Sequence, residues 1–288
     1  MNGFEVLQEL FSYPFVVNGF IGGVTAAIIC SVLGVFIVLR RASLIGEGIA
    51  HLSFGGIAVG LLAGLYPLGV ALVFALLGTV AISVLHQKKL VYYETAIGIL
   101  FSFGLAIGAV AASLAGGFDV DLFSYLFGNI LTISDEDLLY ILLLSMAVLA
   151  FCLLFYKELV AMTFDTAGAR LAGVPVASFD LVFNVMVAFT VVVSIQIVGS
   201  LLVSALLIIP AASALQLSSS FRSTVLIGLV VAVLSVVAGL MLSFFFDIAT
   251  GGAIVIFGTM AFVICVALRR IAIDRPFWVR PSSTEEKK

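Results

Sequence analysis

Long apolar runs alternate along the chain with short breaks at charged residues, proline or glycine. A helix that crosses a membrane needs about 20 mostly apolar residues. Runs at about 15–39, 44–65, 68–87, 94–115, 137–156, 179–198, 199–217, 223–245 and 251–268 meet or approach that length. The pattern predicts an all-α protein, a polytopic transmembrane helical bundle of about nine spans, with eight possible. Only Tyr66 and Pro67 separate the second run from the third, and little more than Gly199 separates the sixth from the seventh.

The polar positions orient this bundle. Arg40 and Arg41 follow the first run, Lys88 and Lys89 the third, Lys157 and Arg170 the fifth, and Arg222 the seventh. Arg269, Arg270, Arg275, Arg280, Lys287 and Lys288 follow the ninth. With nine spans all 13 basic residues fall on one side, which the positive-inside rule makes the cytoplasm. The N-terminus is then outside and the C-terminus inside. Residues 1–288 read as a single transmembrane domain, with 268–288 as a cytoplasmic tail. The opposite side carries Glu5, Glu9, Asp119, Asp121, Asp135, Glu136, Asp137 and Asp247. These are either solvated loop residues or a mouth whose like charges attract cations.

Composition narrows the class further. Of 288 residues 63% are hydrophobic and 10% charged, against about 25% charged in soluble domains. A net charge of −3 gives no basic cluster for nucleic acid. Acidic residues stand in "MNGFEVLQELFSYP" where a signal peptide needs basic ones, so no cleaved signal is expected. Cys30, Cys152 and Cys265 lie scattered in apolar runs without a CxxC spacing, and read as small core residues rather than a thiolate metal site. No GxxxxGK[ST] occurs, so the chain has no P-loop with which to bind ATP.

Against this background "LIGEGIAHLSFGG" (44–56) stands out. Glu47 and His51 are four apart and therefore share one helix face. At 1.5 Å per residue His51 lies about 15 Å beyond Arg41, near the membrane midplane, and Glu47 about 9 Å. An ionisable carboxylate at that depth must face the bundle interior or a water-filled cavity. Carboxylate oxygen with imidazole nitrogen suits Zn²⁺ and also Mn²⁺ or Fe²⁺; the alternative is a structural polar contact. Gly56, Gly60 and Gly64 form overlapping GxxxG patterns for close helix packing, on a stripe that starts roughly opposite the Glu47/His51 face. Two ligands are too few for a metal, so others come from another helix, a second copy or water. His86, before "QKK", belongs to a cytoplasmic loop.

Three further stretches carry candidates. "TFDTAGARLAGVP" (163–175) reads as a short helix outside the membrane that ends in a Gly-Val-Pro stop and is available to dock a partner. "VGSLLVSALLIIPAASA" (198–214) places Ser200, Ser204 and Pro210 in an apolar run, where a proline-broken helix is tolerated only beside protein or a cavity. Its serines and proline either line a pathway or merely satisfy a kink. "GGFDVDLFSYLFGNILTISDED" (116–137) reads as an ordered external lid containing Asp121, with Asp247 on the same rim.

Together these motifs resemble the membrane-permease family of zinc and manganese ABC importers. The resemblance runs nearly end to end. It rests on "RRASLIGEGIAHLSFGGIAVGLLAG" (40–64), "DLFSYLFGNILTIS" (121–134), "VGSLLVSALLIIPAASA" (198–214) and "GLMLSFFFDIATGGAIVI" (239–256). The family's first motif usually carries aspartate where Glu47 stands, whereas His51 matches. The resemblance implies a permease subunit, not itself an enzyme, that moves Zn²⁺ or Mn²⁺ as substrate and holds no permanent cofactor. It implies a homodimer embedded in membrane lipid, an external metal-binding protein, and a cytoplasmic ATPase dimer. The ATPase would grip a coupling helix carried here onto about 164–173, with Phe164, Asp165, Ala167, Arg170, Leu171 and Gly173. "DLFSYLFGNILTIS" is more similar to the zinc branch. A secondary transporter with Glu47 as proton carrier is the competing class. An intramembrane HExxH metalloprotease fails, because the chain has one intramembrane histidine.

Overall fold

The computed structural model describes residues 13–88, 90–117, 120–128, 133–246 and 248–272. Among these the secondary structure is helical throughout. The helices are α1 Pro14–Leu39, α2 Leu44–Leu62, α3 Pro67–Gln87, α4 Tyr93–Leu114, α5 Val120–Phe127 and α6 Asp135–Leu154. They are followed by α7 Tyr156–Phe164, α8 Thr166–Leu171, α9 Val176–Val198, α10 Val203–Leu217, α11 Phe221–Phe246 and α12 Thr250–Ala272. Among the described residues eight helices are long and apolar enough to cross a membrane; α10 is apolar but shorter.

Side-chain pairing sorts the two ends of the bundle. At one end Arg40 of the α1 C-terminus meets Asp180 of α9. At the same end Phe36 of α1 packs on Phe221, which opens α11, and Arg269 of α12 bonds Gln216 of α10. At the other end Asn18 of α1 donates to Asp135 of α6 at 2.7 Å, and Tyr66 donates to Asp137 at 2.9 Å. Arg40 and Arg269 thus mark one end and Asp135 and Asp137 the other, and the two will be called the basic end and the acidic end.

The short helix α10 also runs from one end to the other. Residues just before it bond the C-terminal turn of α5 at the acidic end, with Ser200 N donating to Tyr125 O at 2.9 Å. Its last turn reaches Arg269 at the basic end. Its 15 residues span about 22 Å, and the non-helical segment at 199–202, in which Gly199 and Ser200 are buried, adds to that depth. Among the described residues the bundle therefore comprises eight helices of spanning length and one shorter apolar helix that runs between the same two ends. The fifth span, predicted at 137–156, occupies 135–154; Phe155 (φ −105°, ψ 27°) then turns the chain into the separate helix α7.

Helix α2 is the most enclosed helix of the bundle, packed chiefly on α4 and α3. Gly56 and Gly60 meet α3, as the GxxxG spacing predicts: a Cβ on Gly56 would lie 2.8 Å from Ala71 Cα, and one on Gly60 2.9 Å from Pro67 Cα. Gly64 does not join them; it sits in the turn after α2, with open space around it. The opposite contact, with α4, also depends on glycines. A Cβ on Gly55 would lie 2.6 Å from Gly104 O, and one on Gly104 would lie 2.6 Å from His51 O and 2.7 Å from Leu52 N. Between membrane helices there is no hydrophobic driving force, so such backbone proximity and the dispersion contacts it permits hold the helices together.

Gly104→Val forces a branched side chain into the α2 backbone. The expected cost is about 1–3 kcal/mol, seen as a lowered thermal midpoint of the detergent-solubilised protein; an unchanged midpoint would show that α2 and α4 do not meet there.

Candidate metal site and coupling segment

His51 lies in the second turn of α2 and is 8% exposed. Its ring sits edge-on to Phe101 of α4, with centroids 4.3 Å apart. Among the described residues its Nδ1 is buried without a hydrogen-bond partner. Glu47, one turn earlier, is half-buried and acts electrostatically on the His51 ring. None of the described residues forms a hydrogen bond or ion pair with its carboxylate. The α2–α4 contact thus keeps an acid and an imidazole inside protein, as their cost in hydrocarbon requires, and leaves their ligand atoms uncommitted. Among the described residues no group of three or more His, Cys, Asp or Glu side chains could hold a metal.

The candidates at 198–214 separate. Ser204, in the first turn of α10, is half-buried, and its Cα lies 4.0 Å from where a Cβ on Gly46 would stand, beside Glu47 in sequence. Ser200 is buried at the acidic end, its Oγ without a partner among the described residues. Pro210 corrects the expectation attached to it. α10 continues through it, and the helix discontinuity falls at 199–202 instead. There Gly199 (φ +89°) reverses the chain, and α5 supplies carbonyls for Ser200 N and Leu201 N. The freed backbone groups find partners in protein, which is the condition for irregular backbone at depth.

The lid segment is partly a helix. Leu122 and Leu126 of α5 are buried, and α5 packs on α2, α9 and α12. Asp121 opens α5, but its side chain lies outside the described residues, as does Asp247. Of the acidic rim, Asp137 caps α6, accepting from Ser134 N at 3.2 Å as well as from Tyr66. Asp135 accepts from Asn18. Structural bonding accounts for these two carboxylates. Burial, followed by the bond to Asp137, pushes the Tyr66 phenol above its usual range.

At the basic end α7 and α8 form a two-helix elbow. Asp165 caps α8, accepting from Gly168 N at 2.9 Å, and Gly173 (φ +88°) ends the segment before α9. Ala169 is buried, whereas Phe164, Asp165, Ala167, Arg170, Leu171 and Gly173 are exposed, Leu171 at 90%. Arg40 reaches the elbow from α1. Its Nε donates to Thr163 Oγ1 at 3.2 Å, and its guanidinium lies over the Phe183 ring, 4.4 Å from the centroid. Burial pulls the Arg40 guanidinium below its usual pKa, and Asp180 opposes the shift. The sequence reading missed Arg40 as anything but a topology marker, and no spacing along the chain links it to Thr163 or Asp180. It also missed the α2–α4 crossing, which does leave a mark: Gly48 and Gly55 are seven apart and share a face.

From residue 12 to residue 269 the sequence matches the family described as ABC 3 transport. The chain belongs to that family. This permease is similar to the manganese transport system membrane protein MntC of Listeria monocytogenes, 32% identical over 258 residues that cover 90% of this chain and 92% of that one. It is also similar to the high-affinity zinc uptake system membrane protein ZnuB of Haemophilus influenzae, 31% identical over 247 residues covering 86% and 95%. Among solved structures, PsaBC from Streptococcus pneumoniae in complex with Fab aligns with a TM-score of 0.81 at 32% identity, covering 91% of this chain and 94% of that one. The protein is a multi-pass membrane permease of the metal-importing ABC type. Its relatives include both manganese and zinc systems, so membership does not rank the two metals.

Gly199→Ala places a Cβ against the α5 backbone in a conformation that only glycine adopts easily, at a cost of about 1–3 kcal/mol. Hydrogen exchange at 120–128 is expected to speed up while α2 stays protected; unchanged exchange would show that α5 is not pinned there.

Proposed function

We propose that this permease carries a divalent transition metal across the cell membrane, with Glu47 and His51 as transient ligands. One observation carries the reading: a half-buried carboxylate and a buried imidazole nitrogen, one turn apart on the most enclosed helix, have no partner among the described residues. Leaving polar atoms unpaired in a low-dielectric interior costs free energy, and a passing cation offsets that cost. Each chain supplies two ligands. A homodimer bringing two such pairs towards one axis supplies up to four, and water completes the shell. Binding by few ligands also favours release, which transport needs.

The basic end is read as cytoplasmic from the positive-inside rule, with 268–288 as a cytoplasmic tail of one permease domain and the acidic end facing an external metal-binding protein. The exposed 164–173 elbow fits the docking of a separate ATPase dimer, whose closure on ATP would drive alternating access; ATP hydrolysis belongs to that partner. Zn²⁺ is the first reading of the cargo, because an imidazole–carboxylate set suits it. Mn²⁺ is the second, supported by relatives of manganese systems at similar identity.

Glu47→Gln and His51→Ala are each expected to abolish ATP-dependent uptake in vesicles containing the ATPase, with membrane insertion and dimerisation intact. Uptake at the wild-type rate by either variant would remove the site assignment. Competing Zn²⁺ against Mn²⁺ and Fe²⁺ in the same vesicles ranks the cargo. Phe101→Ala frees the His51 ring from its edge contact, worth about 0.5–1.5 kcal/mol. Metal affinity measured by chelator competition is expected to fall about two- to tenfold, a loss that an incidental Phe101 contact would not produce.

A further inference from the structure

Arg40 stands where three parts of the bundle meet. Through Nε it holds Thr163, the penultimate residue of α7, at 3.2 Å. Through Nη1 it holds Asp180 in the second turn of α9 at 3.4 Å. Its own backbone caps α1, donating to Phe36 O at 3.0 Å. Between Arg40 and the first residue of α2, Leu44, there are only three residues, and hydrogen bonds hold them: Arg41 N to Val38 O at 3.1 Å, Ala42 N to Ile37 O at 3.0 Å, and Ile45 N to Ala42 O at 3.1 Å. Arg41 has φ +56°, the one positive φ outside glycine among the described residues. This turn has little slack, and Glu47 lies in the first turn of the helix it starts.

A second contact path runs beside the first. Phe164, the next residue after Thr163, packs on Phe221 with centroids 6.3 Å apart. Phe221 packs on Phe36 at 5.1 Å, and Phe36 on Phe183 at 6.1 Å, the ring over which Arg40 lies. Next to these contacts is a cavity of 890 Å³ lined by Arg40, Thr163, Thr166, Arg170 and Asp180 among others. Among the described residues the elbow formed by α7 and α8 is thus tied to α1 by one polar contact and one aromatic row, beside this open cavity.

We propose that Arg40 is a positioning residue for transport: its bond to Thr163 carries displacement of the α7–α8 elbow into the turn that leads to α2, and so moves Glu47. The proposal rests on the reading of 164–173 as the segment an ATPase grips. Arginine suits the task because its planar fork holds two acceptors at once in fixed directions, whereas lysine presents one compact charge on a flexible stem. Removing the tie leaves the ATPase free to cycle without moving the site.

The test uses the permease with its ATPase in lipid vesicles and reads metal taken up per ATP hydrolysed. Thr163→Val keeps the shape of the side chain and removes only the acceptor for Arg40 Nε and its bond to Leu159 O. ATP hydrolysis is expected to stay within about twofold of wild type, and metal per ATP to fall about tenfold, the scale of one hydrogen bond to a charged group. Arg40→Lys is expected to match Thr163→Val, and Arg40→Gln to fall further. Thermal stability and co-purification of the ATPase report separately on folding and assembly. A wild-type ratio in Thr163→Val, or hydrolysis and uptake declining in proportion, overturns the proposal and leaves Arg40 a static support. Wild-type uptake that proceeds without the ATPase overturns the underlying reading of the elbow as well, and is seen without any variant.

Discussion

A carboxylate and an imidazole persist inside a membrane only if protein, not lipid, surrounds them. The rest of this structure follows from how α2 achieves that. It has neighbours on both sides at backbone distance, and glycine makes this possible on each: Gly56 and Gly60 towards α3, Gly55 against Gly104 of α4. The same contact that admits α4 brings the Phe101 ring against His51. Packing and site are therefore one feature. A bulkier residue at the α2–α4 crossing would disturb the chemistry as much as the fold.

Enclosure on this scale fixes the topology around it. Helix α10 starts late and is short, so the chain between α9 and α10 must run as irregular backbone at depth, and α5 provides the carbonyls for its amides. In an all-helical membrane protein such a break stands out, because every other crossing satisfies its own backbone. The acidic end, where α5 and this break meet, is held by backbone contacts between short pieces together with the Asn18–Asp135 and Tyr66–Asp137 side-chain bonds. The basic end is held by side chains: Arg40 with Asp180, Arg269 with Gln216, and the Phe36–Phe221 pair.

The apolar runs located the ends of the long spans within four residues, because lipid enforces a local rule on each span. The segregation of Arg and Lys made the common placement of Arg40, Arg170 and Arg269 readable in the same way. Glu47 and His51 were legible because four residues is one helical turn. What escaped notice depended on relations between helices. Pro210 suggested a broken helix, but a proline whose neighbours fill the gap can stay inside one, and the actual break at 199–202 needs carbonyls of α5 that no pattern in 198–214 announces. The helix α7 that follows directly on Phe155 was likewise hidden, since Lys157 and Glu158 end the apolar run there. Arg40 looked like a topology marker, and its bonds to Thr163 and Asp180 cross more than a hundred residues of sequence.

The three cysteines of the chain have a consequence of their own. Cys30 shares a buried contact with Ser194 at 3.2 Å, and Cys152 and Cys265 are buried as well. Thiolate is the strongest ligand a protein offers to a soft or borderline metal, and a thiol shut away from water is inert. A metal-importing permease thus presents no accessible thiol on which a thiophilic cargo can stall. The same seclusion means that a cysteine placed by mutagenesis on either rim would be the single reactive one, so a reporter can be attached to the native chain as it stands.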